Sequence, residues 1–187
     1  MRKRVVILAS GTGSITQAII DATDLDIQII AVVSDKADAK VLDRARQAKI
    51  NTSVIELKDD RAAWDKQLFD QVNQYQPDLV ISAGFMKILS ADFVNFFPTI
   101  NSHPALLPEL PGAHAVRDAL AAGVTVTGTT VHWVDAGVDT GPIITQMEVP
   151  VLPGDSPQAL AARVLEQEHL LYPQAVRDLL PHLPPCA

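Results

Sequence analysis

Residues 5–8, Val-Val-Ile-Leu, form an apolar run without a polar break, and Ser10-Gly11-Thr12-Gly13-Ser14 follows almost at once. No other feature constrains the fold as tightly. A strand that alternates polar and apolar residues has one wet face, whereas a strand apolar at every position must be covered on both. Helical pattern follows at 16–22, a second β-branched run at 27–33 and another helix at 39–48. A third strand is read at 52–55 and a fourth at 79–83. Between them, 61–75 carries Trp64, Leu68 and Val72 at i, i+4 and i+8, one face of a helix. Strands alternating with helices connect by right-handed crossovers and build a parallel sheet. The expectation is an α/β fold, a doubly wound and mainly parallel sheet with helices on both faces and a Rossmann-like N-terminal half.

The second half changes character. A short strand at 99–102 leads into a proline-punctuated loop at 104–112, and 113–122 reads as helix. Two β-rich stretches, 124–134 and 143–151, flank 135–142; they either pair antiparallel or connect across the sheet edge. Residues 156–180 carry the pattern of a long helix with a break expected near Pro173, and the tail 181–187 is expected to be loose. Neither a repeat nor a linker interrupts the chain. Its 187 residues are therefore read as one domain, with an N-terminal half of about 1–100 and a C-terminal half of about 101–180.

Composition narrows the partners. Twenty-two acidic residues against 15 basic give a net charge of −7, which repels phosphate backbones and anionic membranes over most of the surface. An anion site would have to be built from backbone amides. One cysteine, Cys186, makes neither an intramolecular disulfide nor a metal pair, and nothing approaches the roughly 20 apolar residues of a membrane span. The apolar run after Arg2-Lys3-Arg4 is too short for a signal peptide. A soluble, cytoplasmic protein is expected, monomeric or homodimeric, with small-molecule partners.

Three groups of residues carry candidate chemistry. Gly11-Thr12-Gly13-Ser14 lies between the first strand and the first helix, where free amides and a partial positive charge favour an anion. The same pair of glycines also makes an ordinary tight turn. G-x-G-x-x-G is incomplete because position 16 is Thr, the Walker lysine is absent, and Asp35 is the acid a nicotinamide site would use. In Asn101-Ser102-His103, residues i and i+2 share a strand face, so a carboxamide donor stands beside an imidazole while Ser102 points away. That pair suits a developing oxyanion and proton transfer near neutral pH, although a turn-capping Asn and a packed His are the commoner roles. Asp139, in Val138-Asp139-Thr140-Gly141-Pro142, sits where an Asx-turn is usual; an aspartic-protease reading would need a second such motif. Placed near His103, its carboxylate would favour the imidazolium. The other histidines form no compact metal signature: His132 is read as packed or partly exposed, and Glu168 as a solvated helix charge.

Taken in register, Ala9–Ser14, Ala83-Gly84-Phe85-Met86-Lys87-Ile88-Leu89-Ser90, Ile100–Pro108, Pro111-Gly112, Gly128–His132 and Val138–Pro142 resemble the phosphoribosylglycinamide formyltransferase family, as do Gln167-Glu168-His169 and Tyr172-Pro173. The resemblance implies the formyltransferase fold and a formyl transfer from 10-formyltetrahydrofolate, as co-substrate, to the amine of glycinamide ribonucleotide in purine synthesis. It implies catalytic roles for Asn101, His103 and Asp139, and a phosphate site at Gly11, Thr12, Gly13, Ser14 and Ile15. Glu168 matches a residue on the nucleotide, and Met86, Lys87, Ile88 and Leu89, with Asn101 and Ala136, Gly137, Val138 and Asp139, match the folate pocket. No metal is implied.

This chain departs from the family at Ile15, where Asn is usual, at Lys87, where Arg is frequent, and at Val116, where some members carry a second His after His114. Alternatives within the superfamily are methionyl-tRNA, a nucleotide sugar or water as acceptor. The acidic charge, the Pro111-Gly112-Ala113-His114 loop and the lack of an appended domain speak against tRNA, and the lack of a preceding regulatory domain against hydrolysis. A nicotinamide- or nucleotide-binding protein would leave Asn101, His103 and Asp139 unexplained.

Overall fold

The computed structural model describes residues 2–183, so Cys186 lies outside the described residues. Seven strands form one sheet in the order β3-β2-β1-β4-β5-β6-β7. They are β1 (Lys3–Leu8), β2 (Ile27–Ser34), β3 (Asn51–Val54), β4 (Leu79–Ser82), β5 (Thr99–His103), β6 (Val126–Trp133) and β7 (Ile143–Pro150). Pairing is parallel from β3 to β5 and antiparallel across β5, β6 and β7. The two β-rich stretches of the second half are thus an antiparallel pair at the sheet edge.

The unbroken apolar runs have the expected cause. Val5 and Ile7 of β1 enter one core with α1 (Ser14–Asp21), α2 (Val41–Gln47) and α6 (Pro157–Leu179), while Val6 and Leu8 enter a second core with α3 (Arg61–Tyr75) and α4 (Ala91–Phe96). β4 divides the same way, with Leu79 and Ile81 on one side and Val80 on the other. Trp64, Leu68 and Val72 form the buried face of α3, and Asp60 caps that helix by accepting from the Ala63 N–H at 3.0 Å. A third cluster joins α5 (Ala115–Ala122) to β7 and α6 through Ala119, Val149, Leu160 and Val164.

Four expectations are corrected. α1 runs from Ser14 to Asp21, beginning two residues before the expected start at Thr16. α4 is a short helix capped by Ser90 that the sequence reading does not contain. The long C-terminal helix does not break at Pro173: α6 runs 23 residues with that proline inside it. A proline there removes one helical hydrogen bond, but Leu171, Tyr172, Ala175 and Val176 around it are buried in the first core. Tyr172 Oη also donates to the carbonyls of Ser82 and Ile100 at 2.8 and 3.0 Å. Packing overrides the local preference. A 3-10 turn, Leu180–His182, follows, and Leu183 is buried, so the start of the tail is not loose. No helix among the described residues is long and apolar enough to cross a membrane.

Candidate active site

β5 presents Asn101 and His103 on one face and Ser102 on the other, as alternation requires. Antiparallel pairing sets His132 of β6 directly opposite Asn101. The Asn101 amide is held at both ends: Ser82 Oγ donates to its Oδ1 at 2.8 Å, and its Nδ2 lies 3.3 Å from His132 Nε2. His132 Nδ1 faces the Trp133 carbonyl at 2.8 Å. A carbonyl only accepts, so Nδ1 carries a proton, and Nε2 stands between the Asn101 amide and the Asp139 carboxylate. One hydrogen of that amide is left for a ligand oxygen.

Residues 134–142 fold back over this face and bring Asp139 to His103, with Oδ2 3.3 Å from Nδ1. Asp139 Oδ2 also accepts from the Gly112 N–H at 2.8 Å, and Oδ1 stands 3.6 Å from His132 Nε2. His132 beside it holds the Asp139 carboxyl below its ordinary range against the opposing effect of burial, helped by the Gly112 N–H and by His103. Asp139 adopts the left-handed backbone conformation, φ 55°, which Asp tolerates better than most residues. The hairpin is shaped by Asp135, whose Oδ1 accepts from the Gly137 N–H at 2.9 Å and from Thr140 Oγ1 at 2.7 Å. A side chain at Gly137 would collide with Thr140. The sequence motifs thus converge, and the structure adds His132, expected to be packed or partly exposed and found buried beside Asn101 and Asp139.

Asn101, His103, His132 and Asp139 line a cleft of about 270 Å³. Its walls are Gly84–Leu89 on one side and Val134, Asp135, Gly137 and Val138 on the other. Met86, Ile88 and Val138 are exposed apolar residues there, whereas Leu89 also reaches back into the second core. Ala136, expected in the folate pocket, sits on the exposed side of its loop and does not line the cleft. Lys87 lines the cleft and directs its ammonium toward the buried Asp35 carboxylate, 3.8 Å away. Asp35 is therefore covered rather than presented to a ribose.

The glycine loop adjoins the same wall, since Ser10 N–H donates to the Gly84 carbonyl at 3.2 Å and Ser10 Oγ accepts from the Met86 N–H at 2.8 Å. Gly13 holds φ 73°, and a Cβ there would lie 2.5 Å from Val41 Cγ2, so only glycine fits. α2 clasps the loop from outside. The Val41 N–H donates to the Gly11 carbonyl at 3.1 Å, and Arg44 Nε to the Thr12 carbonyl at 2.8 Å. In a trans peptide the N–H points opposite to the carbonyl, so the Thr12 and Gly13 amides turn away from α2. The N–H groups of residues 12–15 meet no acceptor among the described residues. Ile15 is packed into the first core and offers only its amide.

Glu168 corrects its expected place. It is not a solvated helix charge but a buried carboxyl on the far side of β5, accepting from the Ser102 hydroxyl. Burial raises it above its ordinary range, opposed by that hydroxyl. Among the described residues, no group of three or more His, Cys, Asp and Glu side chains is arranged to hold a metal ion.

Residues 3–176 match the family model described as formyl transferase. The chain is 45% identical over 185 residues to a phosphoribosylglycinamide formyltransferase of Mycobacterium tuberculosis, covering 96% of this chain and 86% of the relative. It is 44% identical to part of the trifunctional purine biosynthetic protein adenosine-3 of Drosophila melanogaster, covering 96% of this chain and 14% of that protein. The crystal structure of glycinamide ribonucleotide transformylase 1 from Symbiobacterium toebii superposes with a TM-score of 0.90 at 42% identity, covering 94% of this chain and 86% of that one.

Proposed function

This chain belongs to the formyl transferase family, and we propose that its cleft passes a formyl group from 10-formyltetrahydrofolate to glycinamide ribonucleotide by direct attack of the acceptor amine. It is a formyltransferase of purine biosynthesis acting on that ribonucleotide. The donor and the residue roles are our reading, carried above all by the meeting of Asp139 with Asn101 and His103 across two distant stretches of chain.

The donor supplies an activated formyl carbon bonded to a folate nitrogen. The faces of its ring system suit the walls formed by Met86, Ile88 and Val138, and we assign Lys87, Leu89 and Gly137 to the same pocket. We assign the acceptor phosphate to the amides of 11–15, with the anion at the start of α1, and Glu168 to the ribonucleotide side. When the amine attacks, the formyl oxygen gains negative charge and the attacking nitrogen positive charge. An Asn101 amide hydrogen donates to that oxygen, and the His103 imidazolium stabilises it by its charge; a donor such as the Asn101 amide contributes about 2.7–4 kcal/mol to lowering the barrier. Asp139 holds the imidazolium in place. As the new carbon–nitrogen bond forms and the bond to folate breaks, one proton moves from the acceptor nitrogen to the leaving nitrogen, relayed at the His103–Asp139 pair through a water. Two substrates bound side by side supply the orientation term. One cysteine and small-molecule substrates suit a cytoplasmic location.

The test is turnover with 10-formyltetrahydrofolate against glycinamide ribonucleotide and against water alone. Tetrahydrofolate release that depends on the ribonucleotide is expected. Equal tetrahydrofolate release without it, accompanied by formate, would replace transfer by hydrolysis.

A further inference from the structure

The ring nitrogen of His103 that does not face Asp139 is occupied. His103 Nε2 lies 2.8 Å from the carbonyl oxygen of Leu110, while Nδ1 lies 3.3 Å from Asp139 Oδ2. A carbonyl has no proton to give, so Nε2 must carry one. In the neutral ring this leaves Nδ1 bare, and any second proton sits on Nδ1, between ring and carboxylate.

Leu110 reaches this position at a conformational cost. Its φ is 54°, the left-handed region, although it is not glycine and precedes Pro111. A strained backbone persists only where its surroundings hold it. Here the holding group is the Leu110 side chain, packed against the cluster of Ala119, Val149, Leu160 and Val164. Two residues on, the Gly112 N–H binds the same Asp139 oxygen that faces His103. One short segment therefore grips the imidazole from one side and its carboxylate partner from the other.

We propose that Leu110 is a positioning residue that fixes the tautomer of His103. Its apolar side chain, anchored away from the cleft, keeps the carbonyl on Nε2. Nδ1, the nitrogen beside Asp139, is then the one that gives and takes the proton. The second ring nitrogen of a histidine commonly sets the tautomer in this way. The inference rests on the assignment of His103 and Asp139 to proton transfer, and it adds which atom works and what enforces the choice.

Nitrogen-15 NMR of protein labelled at histidine reads the tautomer directly, with the His103 signals assigned by their loss in His103→Gln. In the parent, Nε2 is expected to keep its proton throughout the pH range in which the protein is folded. Leu110→Gly permits the same φ but removes the anchor. It is expected to mix the tautomers and lower kcat roughly tenfold, with both KM values within about twofold. Leu110→Met, which restores an apolar anchor, is expected to recover most of that loss. The proposal falls if Nε2 in the parent loses its proton as pH rises. It also falls if Leu110→Gly keeps parental kcat, or loses activity through KM alone. The spectrum needs no substrate, so a parent with the expected tautomer but no ribonucleotide-dependent turnover would overturn the proposed function instead.

Discussion

Asp139 concentrates most of what distinguishes this site. It takes a left-handed backbone, accepts from an amide and stands between two imidazoles. Asn tolerates that backbone as well as Asp does, so Asp139→Asn should leave the loop in place and remove only the charge. Its kcat is expected to fall at least about 100-fold with little change in KM, measured by tetrahydrofolate release. The sign of the pH effect follows from a carboxyl lowered from 3.8. Its contribution to stability is present above that value and fades as pH falls through the lower folded value. The stability difference between parent and Asp139→Asn should narrow in strong acid. At this scale Asn101, His103 and Asp139 were legible as residue types with suitable chemistry. His132 was not, because its role comes from lying opposite Asn101 in a strand register that no local pattern encodes.

β5 works on both of its faces. Asn101 and His103 face the cleft, while Ser102 meets Glu168 from α6 behind it. The buried Glu168 carboxyl is raised above 4.5, so its favourable contribution is complete below that value and is lost as pH rises through the folded one. Glu168→Gln has nothing to titrate there. Urea midpoints taken across pH should shift in favour of the variant as pH rises through this window and then level off, while the variant's KM for the ribonucleotide increases. An unchanged difference across pH would mean that Glu168 binds its proton equally well in the folded and unfolded chain. Among elements, the strands and the Trp64 face of α3 could be read from apolar periodicity. α4 is too short to show a period, and Pro173 misled because local propensity is weaker than the packing of α6 on the sheet.

At the largest scale the described residues form one sheet with a main core on each side, and Tyr172 ties the long helix to its centre. Its hydroxyl donates to carbonyls on two neighbouring strands, directly beneath the site. Tyr172→Phe leaves that buried polar contact unmade and is expected to cost about 1–3 kcal/mol of global stability by urea unfolding. The parallel half was legible because unbroken apolar strands demand cover on both faces. The antiparallel edge was left open by the sequence, since two β-rich stretches with a turn between them fit more than one connection. The fold-back of residues 134–142 was equally invisible, because it depends on contacts between segments about forty positions apart, as at His103 and Asp139.

The clasp of α2 on the glycine loop bears on how this chain tolerates divergence. Contacts made by the main chain are indifferent to the identity of the residues that supply them. Ile15 can therefore replace the usual polar residue while the amide beneath it stays available. Evolutionary drift at such positions is buffered for as long as Gly13 and Val41 preserve the path of the backbone.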